Sequence, residues 1–311
     1  MTWFIFALCT MLLWGTADLF YKKGADEGDK YSHLKTVIAV GVVMGAHAIF
    51  TLIFGDIGYN FVNILKYLPV SLMYILSMAV GYFGLRYLEL SVSSPVQNSS
   101  GALVCILCVV FLHQTEIFTW QVVVAVVAVC AGVFALGVLE KKENDLLKER
   151  GEKKYRIGFV AFFMPVIYCV VDALGTFFDA FYLDDVATTP LVGVTEDTLE
   201  SVANTSYELT FLLAAVVCFI FIKFFKKQKY GIKDIRPARI GAAVFETAGQ
   251  FTYVYAMSGQ AAIAAPMVAA YSIVSMVLSR VFLKEKLNWK QYLCIAAVMT
   301  GIILLGIFAD V

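Results

Sequence analysis

Between Ala261 and Phe308 two apolar runs, each long enough to cross a bilayer, flank one short charged turn: AAIAAPMVAAYSIVSMVLSRVFLKEKLNWKQYLCIAAVMTGIILLGIF. Because about 20 apolar residues cover the hydrocarbon thickness, the stretch reads as a transmembrane helical hairpin closed by Lys284-Glu285-Lys286-Leu287-Asn288-Trp289. Small residues and Pro266 open its first helix, which predicts close packing and a bend at the proline. The pattern recurs about 170 residues earlier, from Ser91 to Val138. Pro95 answers Pro266, Phe111-Leu112 answers Phe282-Leu283, Glu116 and Trp120 answer Glu285 and Trp289, and Gly132 answers Gly301. The chain reads as a duplication.

The rest of the chain follows the same pattern. With 60% hydrophobic and 15% charged residues and a mean hydropathy of +0.80, it is too apolar for a soluble globular protein. Ten spans are expected, at roughly 3–21, 34–54, 68–88, 92–112, 120–139, 157–183, 206–225, 238–258, 261–283 and 289–308. Only Met1-Thr2 precedes the first and Lys22-Lys23 follows it, so it reads as a retained helix rather than a cleaved signal. The loops after odd-numbered spans hold 23 of the 24 basic residues, leaving Lys66 alone on the other side. Cytoplasmic loops carry the basic excess, which places both termini outside the cell or in the periplasm of a multi-pass cell (inner or plasma) membrane protein. Zero net charge and the lack of a basic stripe argue against a nucleic-acid partner. All seven cysteines fall in apolar segments and read as packing residues; Cys105-x-x-Cys108 has no second ligand pair for a metal.

At the two hairpins the sequence resembles the drug/metabolite transporter superfamily, in its EamA-like ten-helix form. The Ala/Pro-opened helix, the run ending in Lys284-Glu285-Lys286-Leu287, Trp289-x-Gln291 and the Gly301-containing last helix carry the resemblance. Trp14-Gly15-Thr16 and Lys22 fit the start of the family repeat. The resemblance covers most of the chain, more closely in the second half. It implies an all-α membrane protein of ten transmembrane helices in two five-helix repeats.

An odd number of spans per repeat requires the halves to insert in opposite directions, with a substrate site at their interface near the midplane. Residues 1–139 form the first repeat, 140–156 a cytoplasmic linker that is helical in part, and 157–311 the second repeat. Residues 184–205 form an outer loop with five acids and no basic residue, read as a variable solvated loop, with an acidic lid as the alternative. Asn204-Thr205-Ser206 matches a glycosylation acceptor. Gly41-x-x-x-Gly45 fits close helix packing.

An acid at a helix centre costs ~2.5–3.5 kcal/mol on insertion scales, so intramembrane acids face cavities or partners. Asp18, Asp172, Asp179 and Glu246 qualify. Asp18 and Asp172 occupy matching repeat positions, Trp14…Asp18 against Tyr168…Asp172, while Asp179 follows Asp172 two turns along one face. Gln97 and Asn98 make the fourth span polar at its start. Tyrosine is the informative aromatic because its hydroxyl seeks a partner when buried. The expected substrate-binding set is Trp14, Tyr82, Asn98, Tyr168, Asp172, Glu246, Gln250 and Tyr271; Asp172 or Glu246 is expected to take a proton or the substrate's cationic group. Asp18, Asp179, Gln97 and Tyr253 are expected at a secondary cavity or gate. Acids with aromatic faces suit an organic cation, and the same set suits an amino acid or another small polar metabolite.

The expected function is secondary transport of such a molecule by alternating access. No phosphate-binding loop supplies direct ATP drive, and no cofactor or metal site is expected. The alternatives are a receptor or structural membrane protein, and an intramembrane enzyme. The last is disfavoured because Asp172 and Asp179 lie some 10 Å apart along one helix, whereas catalytic acid pairs meet across two. The small-molecule substrate, the lipid bilayer and protons are the expected partners. Oligomeric state is left open.

Overall fold

The computed structural model describes residues 2–24, 29–87, 99–116, 118–149, 159–228, 230–231, 235–258, 260–283 and 287–308, with side chains at 82–87, 140–149, 159–165, 279 and 283 outside that description. Among the described residues the chain is helical and has no strand. The helices are α1 (Thr2–Gly24), α2 (Ser32–Phe54), the short α3 (Val62–Lys66), α4 (Leu68–Tyr87), α5 (Ser100–Phe111), α6 (Trp120–Glu149) and α7 (Phe159–Leu183). They are followed by α8 (Leu199–Ile220), α9 (Pro237–Met257), α10 (Ala261–Ala269), α11 (Tyr271–Leu283) and α12 (Trp289–Phe308). Among the described residues seven segments are long and apolar enough to cross a membrane: α1, α2, Trp120–Leu139, Val166–Leu183, Leu199–Phe225, Ala261–Phe282 and α12. Leu68–Gly81 and Ser100–Phe111 are shorter apolar helices. Large apolar side chains such as Ile53, Val127, Val217 and Ile303 stay exposed on the outside of the bundle, as a surface facing lipid requires.

Five pairings build the bundle: α1 along α9, α2 along α8, α4 along α7, α5 along α10, and α6 along α12. Without a hydrophobic force between helices in lipid, close approach of small residues supplies much of the packing. Between α6 and α12, a Cβ placed on Gly301 would stand 2.8 Å from the Ala125 carbonyl oxygen, and one on Gly132 would stand 2.4 Å from a Val298 methyl. Gly41 and Gly45 abut Phe211 and Leu212 of α8, so the Gly-x-x-x-Gly face is used within the chain.

Three expectations change. The bend expected at Pro266 is a break at Ala270, where 3₁₀-type bonds run from the Ala270 amide to the Met267 carbonyl and from the Ile273 amide to the Ala270 carbonyl (3.1 and 2.9 Å). Non-helical backbone at membrane depth is tolerated where it lines a cavity, and Ala269 and Tyr271 do so. The span expected from 206 begins at Leu199, because polar residues in its first two turns are buried against the bundle rather than solvated. Asn204 therefore lies buried inside a helix and donates to Glu208 Oε1 (3.1 Å), which excludes it as a glycosylation acceptor in this fold. The acidic connection is shortened to 184–198; most of it stays exposed to solvent, as expected, but it is tied to the bundle at a few points. The Asn63 side chain donates to the Val192 carbonyl and accepts from its amide (3.0 and 2.9 Å). Gln114 donates to Asp184 (3.2 Å), and Ser258 donates to Glu200 at the head of α8 (2.9 Å). α6 runs on to Glu149, so the start of the linker is helical.

Candidate functional site

A cavity of about 150 Å³ lies inside the bundle between α1, α4, α5, α7, α8, α9, α10 and α11. Six of the eight expected binding residues line it: Trp14, Tyr168, Asp172, Glu246, Gln250 and Tyr271. Asn98 and Gln97 lie outside the described residues, and Tyr82 lies on α4 with its side chain outside the description. Of the residues expected at a secondary cavity or gate, Asp18 and Tyr253 line the same cavity, whereas Asp179 is buried beside it.

The α1–α9 contact sets the aromatic wall. Gly249 carries no side chain, so the Trp14 indole lies against its backbone; a Cβ there would stand 2.3 Å from Trp14 Cδ1. The indole N–H donates to the Glu246 carbonyl oxygen (3.3 Å), the ring packs on Tyr253 at 4.9 Å, and its other side meets Tyr271 edge-on at 6.2 Å. Tyr168 and Tyr271 share a hydrogen bond across the cavity.

The acids have different surroundings. The Ser275 hydroxyl donates to Asp18, and the Lys22 ammonium donates to the same Ser275 oxygen at 3.5 Å. Asp172 takes hydroxyl donors, Ser77 at 3.5 Å and Ser100. Glu246 faces the Tyr21 hydroxyl. Asp172 and Glu246 thus have neutral partners, and no Lys, Arg or His is among the described residues lining the cavity. Gln250 is 1% exposed, lines the cavity, and its amide nitrogen meets no acceptor among the described residues. A buried donor left unmatched costs about 1–3 kcal/mol, so it marks a place where a ligand or water accepts.

Toward the 184–198 connection the cavity is roofed by hydroxyls. The Tyr74 and Tyr253 hydroxyls are 2.7 Å apart, each 3.0 Å from Thr176 Oγ1, and the Tyr207 ring meets Tyr74 edge-on at 5.6 Å. Sequence reading did not place Tyr74, Thr176, Tyr207, Tyr21 or Ser100 in the binding set; paired intramembrane tyrosines were the available signal. It also missed Glu208, which is not among the described residues lining the cavity and whose carboxylate receives His47 Nδ1 at 2.8 Å on both oxygens. With a helix starting at 206, Glu208 would fall in its first turn, where a polar residue calls for no partner inside the membrane. It lies more than two turns in and is fully buried.

With this geometry in view, comparison with known proteins places the chain. The profile of the EamA-like transporter family matches residues 1–138 and 188–307. The chain belongs to the EamA-like transporter family, consistent with the drug/metabolite transporter superfamily, and is a transmembrane protein of the transport class. A solved structure titled "Crystal structure of protein" superposes with a TM-score of 0.70 over 99% of this chain and 97% of its own length; at 11% identity the likeness is one of fold. The comparison with curated proteins gives no match.

Proposed function

We propose that this protein is a secondary transporter of a small organic cation, working by alternating access between two inverted five-helix repeats, residues 1–139 and 157–311. The observation that carries this reading is a cavity inside the bundle, walled by aromatic faces and bearing Asp18, Asp172 and Glu246 with no basic residue among its described lining. A cation gains from carboxylate pairing and from aromatic quadrupoles, worth about 2 kcal/mol or more per ring when desolvated. Gln250 and the tyrosine hydroxyls orient polar substituents. A cavity near 150 Å³ suits a benzene-sized molecule. An amino acid would need a partner for its carboxylate, and the described lining offers only the neutral Gln250 amide and hydroxyls.

The helix pairings support the inverted repeat. A twofold exchanging spans 1–5 with 6–10 maps the pairs 2–7, 4–9 and 5–10 onto themselves and interchanges 1–8 with 3–6. Those five pairs correspond to α2–α8, α5–α10, α6–α12, α1–α9 and α4–α7, the contacts that build the bundle. Trp14, Tyr82 and Asn98 from one repeat and Tyr168, Asp172, Glu246, Gln250 and Tyr271 from the other form the substrate set in this reading. Asp172 or Glu246 exchanges a proton for the cation, and no nucleotide is consumed.

Charge selectivity tests the substrate class. Tetramethylammonium, tert-butanol and pivalate are similar in shape and differ in charge. The purified protein is expected to bind the first and reject the anion; equal or tighter pivalate binding would overturn the cation reading. In a cysteine-free background, Lys148→Cys and Asp197→Cys test the orientation in a cell membrane with both termini outside. An impermeant thiol reagent applied to intact cells is expected to label position 197 and spare 148, and the reverse result would invert the topology.

A further inference from the structure

Asp179 takes no part in the cavity, yet it is fully buried within the membrane-spanning part of α7. The Tyr67 hydroxyl, just before α4, donates to its Oδ1. Its Oδ2 is buried and meets no donor among the described residues. A carboxyl placed in hydrocarbon with half its accepting capacity unused is costly, and intramembrane acids mark cation or proton routes by default. Asp172, Thr176 and Asp179 follow one another at four- and three-residue intervals, so they share one face of α7, with the two carboxyls about 10 Å apart. Thr176, between them, is the residue that both roof tyrosines contact. Tyr74 and Tyr253 interact electrostatically with Asp172 and Asp179 alike. The order along α7 is therefore cavity carboxyl, hydroxyl roof, second carboxyl.

We infer that Asp179 is a second cation-binding station on the side of the 184–198 connection, occupied by the substrate cation when the Tyr74–Tyr253–Thr176 roof parts. In this structure those three hydroxyls meet, and of the two carboxyls on α7 only Asp172 lines the cavity. When the roof parts, the free Asp179 oxygen offers an approaching cation an anionic partner before it reaches Asp172, which lowers the cost of leaving water. The inference rests on the cation reading of the cavity.

The test uses the full-length protein and radiolabelled tetramethylammonium, with uptake measured from the outer face in intact cells and from the inner face in inside-out vesicles. Equilibrium binding is measured on purified protein. Asp179→Asn keeps an acceptor for the Tyr67 hydroxyl and removes the charge, so a residue that only holds Tyr67 tolerates it. The station predicts a roughly tenfold rise in outer-face half-saturation, an inner-face value close to wild type, and cavity binding retained. Tyr67→Phe, which keeps the carboxyl, is expected to leave the outer-face value within about twofold. Wild-type behaviour of Asp179→Asn, or an equal change at both faces, would overturn the station while leaving the cavity reading intact. Failure of wild type to bind tetramethylammonium would overturn the cavity reading, and the station with it. Should Asp179→Asn fail to express, Asp179→Glu replaces it. The outer-face value is then expected to stay close to wild type, and a tenfold rise despite the retained charge would count against the station.

Discussion

Asp172→Asn and Glu246→Gln are each expected to weaken tetramethylammonium binding by about 30-fold or more, with no loss of folded protein. Tetramethylammonium has no N–H to donate, so each carboxylate acts on it through charge alone. Unit charges about 5 Å apart attract by about 3 kcal/mol at an effective dielectric of about 20, and each 1.4 kcal/mol is tenfold in affinity. Both amides fill the space of the acids and can still accept from Ser77 and Ser100, or from Tyr21, so packing is kept. The pH dependence carries a further sign. Proton and cation compete for one carboxyl, so wild-type affinity falls as pH is lowered, by as much as tenfold per unit where that carboxyl titrates. The variant that has lost the coupling residue binds weakly and shows a flat profile. Titration calorimetry from about pH 5 to 8 reads both effects, and unchanged affinity in both amides with a flat wild-type profile would make these carboxyls structural.

Gly301→Leu is expected to be the most damaging single change outside the cavity. Its Cβ would stand 2.8 Å from the Ala125 carbonyl oxygen and 2.8 Å from a Val129 methyl, and backbone cannot step aside as a side-chain tip can. The only relief is to part α6 from α12. Overpacking of this kind costs about 1–3 kcal/mol or more, against total stabilities of about 5–15 kcal/mol. Thermal unfolding in detergent should show a drop of several degrees or a loss of monodisperse protein. Gly301→Ala is expected to be milder, since the α6–α12 pair lies at the edge of the bundle and can give a little. A Gly301→Leu protein as stable as wild type would mean that the two helices do not meet at this distance.

These two cases differ in how far the sequence declared them. Gly132 and Gly301 stood out because they sit at matching places in two hairpin sequences of similar pattern, and both now mark the α6–α12 contact. Trp14, Asp172, Glu246 and Tyr271 were legible because hydrocarbon tolerates few polar groups, so each one asks for a cavity or a partner. The helix pairings and the roof were not legible. Tyr74 and Tyr253 come from helices far apart in sequence, and nothing local announces that their hydroxyls meet on Thr176. Glu208 and Asn204 were hidden by polarity itself: hydropathy ends a span where polar residues begin, while α8 buries both, with Glu208 bound to His47 and accepting from Asn204. Asp179 was visible as an acid, but only its geometry separates it from Asp172, one behind the roof and the other in front. The break at Ala270 likewise depends on a cavity that proline placement alone does not reveal.

The most direct measurement of the central claim is flux through the purified protein in liposomes free of nucleotide. The vesicles are preloaded with unlabelled tetramethylammonium and challenged with the radiolabelled ion, a permanent cation that crosses bare bilayers too slowly to interfere. Wild type is expected to exchange label across the membrane, with a rate that saturates with concentration and falls as external pH is lowered. Asp172→Asn, reconstituted at equal density, is expected to exchange at the rate of empty vesicles. Saturable exchange that persists undiminished in Asp172→Asn and in Glu246→Gln, or a wild type no faster than empty vesicles, would contradict a cation path through this cavity.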